Sequence, residues 1–186
     1  YALAMPTRLK CLHSSGQSHF ITFACWHRRH NLRDPAAKRI FEAALERVRR
    51  SFDLRVYAYV VMPDHVHLLL SEPHCGTLAD AIKSLKQRVS RRLIGEAPHF
   101  WQKLYYDFNV RTHDQFVEKL RYIHRNPVKK GLCARPEDWE WSSFRHYATG
   151  CDGPVEIESE WTASKREEAS CSPLKPKPGL SGPPGD

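Results

Sequence analysis

The chain lacks several features that would have fixed its class at once. In its 186 residues no apolar run approaches the ~18–20 residues that a bilayer-spanning helix needs. No secretory pattern of charged, apolar and small-residue regions opens it; the chain starts at Tyr1, and Met5 is the expected natural start. Its six cysteines, Cys11, Cys25, Cys75, Cys133, Cys151 and Cys171, include no C-x-x-C pair. That spacing argues against a zinc ribbon or finger. With no sign of secretion, the expectation is free thiols in a reducing cytoplasm. No internal repeat is visible.

What is present suits one domain with tails. Apolar residues make up 41% and aromatics 11%, enough for a core. Lys and Arg number 29 against 21 Asp and Glu, a formal charge of +8. That balance favours a polyanion as partner, nucleic acid ahead of membrane; a solvated basic surface is the plainer alternative. The expected division is a basic segment over 1–18, a folded domain over 19–149, and a Gly/Pro-rich, partly disordered tail over 150–186.

Within the domain, "HFITFACW" (19–26) alternates as a strand. "DPAAKRIFEAALERVRRSF" reads as a helix, with Asp34 as N-cap and Pro35 at the first position. "LRVYAYVVMP" and "HVHLLLS" read as two strands joined at Pro63-Asp64, a hairpin. "TLADAIKSLKQRVSRRLI" is a second helix, with Thr77 and Asp80 at capping-box spacing. A fourth strand is expected over 104–110. "DQFVEKLRYIHRNP" is a third helix, ended at Pro127, which biases Asn126 away from the α region. The order β-α-β-β-α-β, then α, predicts an α+β sandwich of the ferredoxin-like kind with a mainly antiparallel sheet.

The chemistry sits in "VMPDHVHLLL". Alternation along a strand puts His65, His67 and Leu69 on one face and Val66, Leu68 and Leu70 on the other. Two imidazoles on one face can converge on a divalent ion; a surface His pair is the bland alternative. In the third helix, Tyr122 and Asn126 are four residues apart and share a face if the helix reaches that far. Packed over the strand, they would add an amide oxygen and a phenol to the two imidazoles. Such a mixed nitrogen and oxygen set suits Mg²⁺ or Mn²⁺ acting on phosphate. For Tyr122 alone, an interface tyrosine with a satisfied hydroxyl is the commoner case.

Taken together, "YVVMPDHVHLLLSEP" and "LRYIHRNPVKKGL", with "FITFACWHRR", "LKQRVSRRL" and "FWQKLYYDFNV", resemble the single-tyrosine (Y1) transposases of the IS200-like group. The REP-associated tyrosine transposase branch is the nearest in pattern. These belong to the HUH (His–hydrophobic–His) endonucleases, and the resemblance runs from about His19 to Tyr147. It implies the HUH fold, a metal held by His65 and His67, Tyr122 as the nucleophile, and Asn126 as the third polar ligand. Tyr57, Tyr59, Tyr105 and Tyr106 are rivals outside the motif context. The implied reaction is cleavage and transfer of single-stranded DNA near hairpins through a 5′-phosphotyrosine. A free phenol has a pKa of ~10 and needs a nearby cation or base. His124 would point away on a helix, and Lys119, three residues before Tyr122, is the better neighbour. Arg28, Arg29, Lys86, Arg92, Lys129 and Lys130 are the leading candidates for phosphate contact. The resemblance leaves monomer and homodimer both open. Two other readings stand beside it: a hairpin-DNA-binding protein of the same fold that does not cut, and a cupin-like barrel oxygenase using its H-x-H pair.

Overall fold

The computed structural model describes residues 18–95 and 98–171. The expected order is present: β1 (Ser18–Ala24), α1 (Pro35–Ser51), β2 (Val56–Val61), β3 (His65–Ser71), α2 (Leu78–Leu93), β4 (Tyr106–Val110) and α3 (His113–Lys129), followed by α4 (Phe144–Thr149) and α5 (Glu160–Cys171). The four strands form one sheet in the order β2-β3-β1-β4, with every neighbouring pair antiparallel. This is the ferredoxin-like α+β arrangement expected from the sequence. An open sheet flanked by helices excludes the cupin-like barrel. Among the described residues, no helix is long and apolar enough to cross a membrane.

Helices cover both faces of the sheet, and its outer strand β4 stays largely exposed. Ile21, Phe23, Val66, Leu68 and Leu70 pack under α1 and α2. Phe20, Val60, Leu69 and Val110 pack under α3 through Phe116, Leu120 and Ile123. The caps behave as the sequence suggests. Asp34 Oδ1 accepts from the Ala36 N–H at 2.8 Å, and Thr77 Oγ1 accepts from that of Asp80 at 3.1 Å. The β2–β3 hairpin closes at Pro63-Asp64, where the Met62 N–H donates to the His65 carbonyl at 2.9 Å.

Three expectations need correction. First, α3 does not stop at Asn126 but runs through Pro127 to Lys129. Pro127 has no N–H to give the preceding turn. It falls in the last turn, however, where the exit satisfies the remaining carbonyls. Gly131 takes φ 68°. Its N–H donates to the Val128 carbonyl, that of Leu132 to Pro127, and that of Lys130 to Asn126. This left-handed close of the helix tolerates one missing bond. Second, β4 begins at Tyr106 rather than residue 104; Leu104 is exposed and outside the ladder. Third, packed chain continues past residue 149. Val155 and Ile157 are buried in the core beneath α1, and the Glu158 N–H donates to the Val56 carbonyl. These two apolar residues sit in a stretch whose Gly, Pro and charge hid them. The expected basic segment falls almost wholly outside the described residues, as do residues 172–186. Cys25, Cys75, Cys133 and Cys151 are free thiols.

The edge strand β2 is wholly buried because residues 139–143 cover it. The Val61 N–H donates to the Trp141 carbonyl, and Tyr59 exchanges bonds with Ser143. Beneath that edge lies a carboxyl the sequence did not flag. Glu42 faces the core from α1 and accepts the Tyr59 hydroxyl at 2.9 Å. Burial pushes its pKa up to about 7, opposed by that hydrogen bond and raised further by Glu140. Its contribution to stability is therefore full below the ordinary carboxyl pKa. It is lost as pH rises through about 7, when the buried group must ionise. Glu42→Gln is expected to raise Tm by several degrees at pH 8 and to change it little at pH 5. Thermal melts at the two pH values check this; equal shifts at both would contradict it.

Candidate active site

The hairpin and the third helix build the site between them. Register aligns His67 of β3 with Thr22 of β1, and His65 with Ala24. Both histidines face α3 and are about 95% buried. Each is pinned through Nδ1. Thr22 Oγ1 lies 2.7 Å from His67 Nδ1, and Asp64 Oδ1 lies 2.6 Å from His65 Nδ1. A carboxylate can only accept, so His65 donates from Nδ1 and presents a lone pair at Nε2. The two Nε2 atoms then stand 3.2 Å apart. Burial lowers the pKa of both rings, against the pull of Asp64 on His65. His67 falls to about 3, with His65 and Arg28 adding to the effect of burial. Both rings are neutral at pH 7, so neither must lose a proton to act as a ligand.

From α3, Asn126 completes the cluster. Its side-chain amide is buried, with Nδ2 3.1 Å from His67 Nε2. Its Oδ1 is buried with no hydrogen-bond partner. Rotation of the amide exchanges the two ends, which would bring a third lone pair to the paired imidazoles. An orphaned amide oxygen beside two converging nitrogens is a donor set that fits a small divalent cation. Among the described residues, no group of three His, Cys, Asp or Glu is placed to hold a metal, so the set depends on this amide.

Tyr122 stands one turn before Asn126 at the rim. It is 37% exposed, and its ring centroid lies 5.1 Å from that of His67 and 5.7 Å from that of Phe20. Together these residues line an open cavity of about 700 Å³. The i, i+4 spacing of Tyr122 and Asn126 therefore does place both above the histidine pair. The neighbour expected for Tyr122 is different. Lys119 lies over the rings of Phe20 and Phe108 and pairs with Glu118. The ammonium over the Tyr122 ring, at 5.4 Å, is that of Lys129. His124 points away, as expected, and is buried against Ser143 Oγ at 2.8 Å.

The six basic candidates separate by face. Arg28 and Lys130 line the cavity. Lys129 sits above Tyr122, and Arg29 is exposed just after Arg28. Lys86 is on α2, in the layer on the far side of the sheet, where it donates to the carbonyls of Gln102 and Lys103. Its half-buried ammonium is a strut rather than an open contact. Arg92 also lies on the far layer, in a groove with Arg47, Arg88 and Arg91.

Sequence reasoning missed Thr22 and Asp64. Alternation puts Thr22 on a face, but only the strand register shows that it meets His67. Asp64 looks like a turn residue, and its two oxygens do different work. Oδ1 holds His65, while Oδ2 accepts from Arg28 Nη1 at 3.1 Å. Arg28 reaches it from a left-handed bend, with His27 at φ 51° and Arg28 at φ 57°. Such backbone costs about 1–3 kcal/mol per residue and persists where surrounding contacts hold it.

With this geometry in view, the comparisons with known proteins become specific. The model of the family described as "Transposase IS200 like" matches residues 13–126. The chain belongs to the IS200-like transposase family. A REP-associated tyrosine transposase of Escherichia coli is 25% identical over 103 residues, covering 54% of this chain and 61% of that protein. A Haemophilus influenzae protein provisionally given the same name is 29% identical over 117 residues, covering 56% of this chain and 66% of that one. The matches thus span slightly less than two thirds of the length of these relatives. A solved structure of a REP-associated tyrosine transposase bound to a REP hairpin superposes with a TM-score of 0.65. It has 23% identity and covers 77% of this chain and 87% of that one. That likeness supports the fold.

The pins behind the histidines should be measurable. Thr22→Val and Asp64→Asn are each expected to weaken Mn²⁺ binding about 10- to 100-fold, and His67→Ala to abolish it. Calorimetric titration checks this. Unchanged affinity in both pin variants would mean that the imidazoles orient themselves.

Proposed function

We propose that this transposase-family protein nicks single-stranded DNA beside hairpins and transfers the strand through a 5′-phosphotyrosine on Tyr122. The observation that carries the reading is the placement of an exposed phenol next to two buried, neutral imidazoles and an orphaned amide oxygen. His65, His67 and Asn126 would hold Mg²⁺ or Mn²⁺. Bound there, the ion would polarise a phosphate oxygen and offset the charge that develops at phosphorus.

The chain's own residues do the rest. Arg28 and Lys130 line the cavity and hold backbone phosphates. That contact positions the strand without reading its sequence. Tyr122 is fixed on α3, so its oxygen approaches phosphorus from one side only. A bond forms between Tyr122 Oη and phosphorus, and the bond from phosphorus to the 3′-oxygen breaks. The phenol's proton is lost, and a proton is taken up by the departing 3′-oxygen. One phosphodiester replaces another, so a 3′-hydroxyl from a second strand can attack the phosphotyrosine and reverse the exchange. The similar solved structure has a REP hairpin bound, which is consistent with this class of substrate.

Of the rival tyrosines, Tyr57 is buried against Phe116, and Tyr59 is buried with its hydroxyl on Glu42. Only Tyr106 shares the cavity. The test uses labelled single-stranded hairpin DNA with Mg²⁺, Mn²⁺ or EDTA, resolved on a denaturing gel. The expected result is a metal-dependent protein–DNA adduct, absent in Tyr122→Phe and in His67→Ala. An adduct that survives Tyr122→Phe would move the nucleophile to Tyr106. Hairpin binding with no adduct under any condition would leave a DNA-binding protein that does not cut.

A further inference from the structure

The cavity holds more than phosphate and metal chemistry requires. Its lining includes the basic side chains of Arg28 and Lys130 and also the apolar groups of Phe20, Tyr106 and Leu132. Tyr106 stands out among these. Antiparallel register puts His67, Thr22 and Tyr106 in one row across β3, β1 and β4, all on the face toward α3. Two strand spacings, about 10 Å, separate the Tyr106 backbone from that of His67. Tyr106 is 57% exposed, and its ring touches that of Phe20 edge-on, at 6.4 Å between centroids. Phe20 in turn touches Tyr122 at 5.7 Å. The two tyrosines therefore flank one phenyl ring, the first at the open edge of the sheet and the second at the rim of the histidine cluster.

The placement is unusual for a packing residue. β4 is the outer strand at its end of the sheet, and Tyr106 lines the cavity and is more than half exposed rather than pressed into a core. An exposed aromatic ring in one cavity with Arg28 and Lys130 matches the two halves of a nucleotide. The cations take the backbone, and the ring takes the base.

We propose that Tyr106 is a stacking platform for an unpaired nucleobase next to the phosphate presented to Tyr122. The inference rests on the single-stranded DNA reading above and adds a base subsite to it. Stacking is tolerant of sequence because every base has a π-face, so this subsite sets the path of the strand rather than its identity. It also disfavours continuous duplex at that position, since a base within a duplex is already stacked on both faces.

The test separates base from backbone. Binding of a short labelled oligodeoxyadenylate is compared with that of an abasic strand of the same length, for wild type, Tyr106→Ala and Tyr106→Phe. EDTA is present throughout, so neither metal loading nor cleavage contributes. Tyr106→Ala is expected to lose about tenfold affinity for oligodeoxyadenylate and nothing for the abasic strand. Tyr106→Phe, which keeps the ring, should match wild type on both. The exposed position should leave Tyr106→Ala folded, and circular dichroism confirms it. Equal affinity of Tyr106→Ala and wild type for oligodeoxyadenylate would overturn the proposal while leaving the DNA reading intact. An equal loss on both strands would overturn it too, by making Tyr106 a support for Phe20. Failure of wild type to bind either strand would overturn the subsite and the single-stranded DNA reading together.

Discussion

Two neutral imidazoles with their Nε2 atoms 3.2 Å apart do not hold that geometry unaided. Free to rotate, the two side chains would leave it. Here the rings are clamped from behind, His67 by the Thr22 hydroxyl and His65 by the Asp64 carboxylate. His67 is also held from above by Asn126 and by the Tyr122 ring. Burial then keeps both rings uncharged. The pair depends on a strand whose two faces have different jobs. Val66, Leu68 and Leu70 anchor β3 in the α1/α2 layer, leaving the opposite face free to carry polar groups. A slip of one residue in the β1–β3 register would turn both histidines into the apolar core.

The rest of the architecture secures that strand and the helix above it. Residues 139–143 close the exposed edge of β2, and Ser143 also meets the buried His124 of α3. The same short segment thus braces both the sheet and the helix that carries Tyr122. The exit of α3 matters for a similar reason. Had the helix ended before Pro127, Asn126 would have left helical geometry, and its amide would not be fixed against His67. The left-handed turn at Gly131 keeps Asn126 in the last intact part of the helix and leaves Lys129 and Lys130 at the mouth of the cavity.

Much of this was legible in the sequence, because the relevant rules are local. Alternation along "HVHLLL" assigned the two histidine faces, and the four-residue spacing of Tyr122 and Asn126 placed them on one side of a helix. Caps at Asp34 and Thr77 located two helix starts to the residue. What was not legible depends on pairing and on turns. That Thr22 meets His67 follows from register, and that Lys129 rather than Lys119 lies over Tyr122 follows from how the helix rolls on the sheet. Lys86 and Arg92 lie in the layer across the sheet from the histidine pair, since a helical face is visible in a sequence but its side of the sheet is not. Val155 and Ile157 reach the core from a stretch whose composition looked like a tail. Pro127 misled because its usual effect on a helix assumes an interior position, not a last turn closed by glycine.

The central claim is that the two histidines and the DNA phosphate meet at one metal ion. Electron–nuclear hyperfine spectroscopy of Mn²⁺ in the protein tests this most directly, with and without single-stranded hairpin DNA. The account predicts nitrogen couplings from two imidazoles, and a phosphorus coupling that appears only when DNA is added. A spectrum of hydrated Mn²⁺ alone, with neither nitrogen nor phosphorus coupling in the presence of bound DNA, would contradict it.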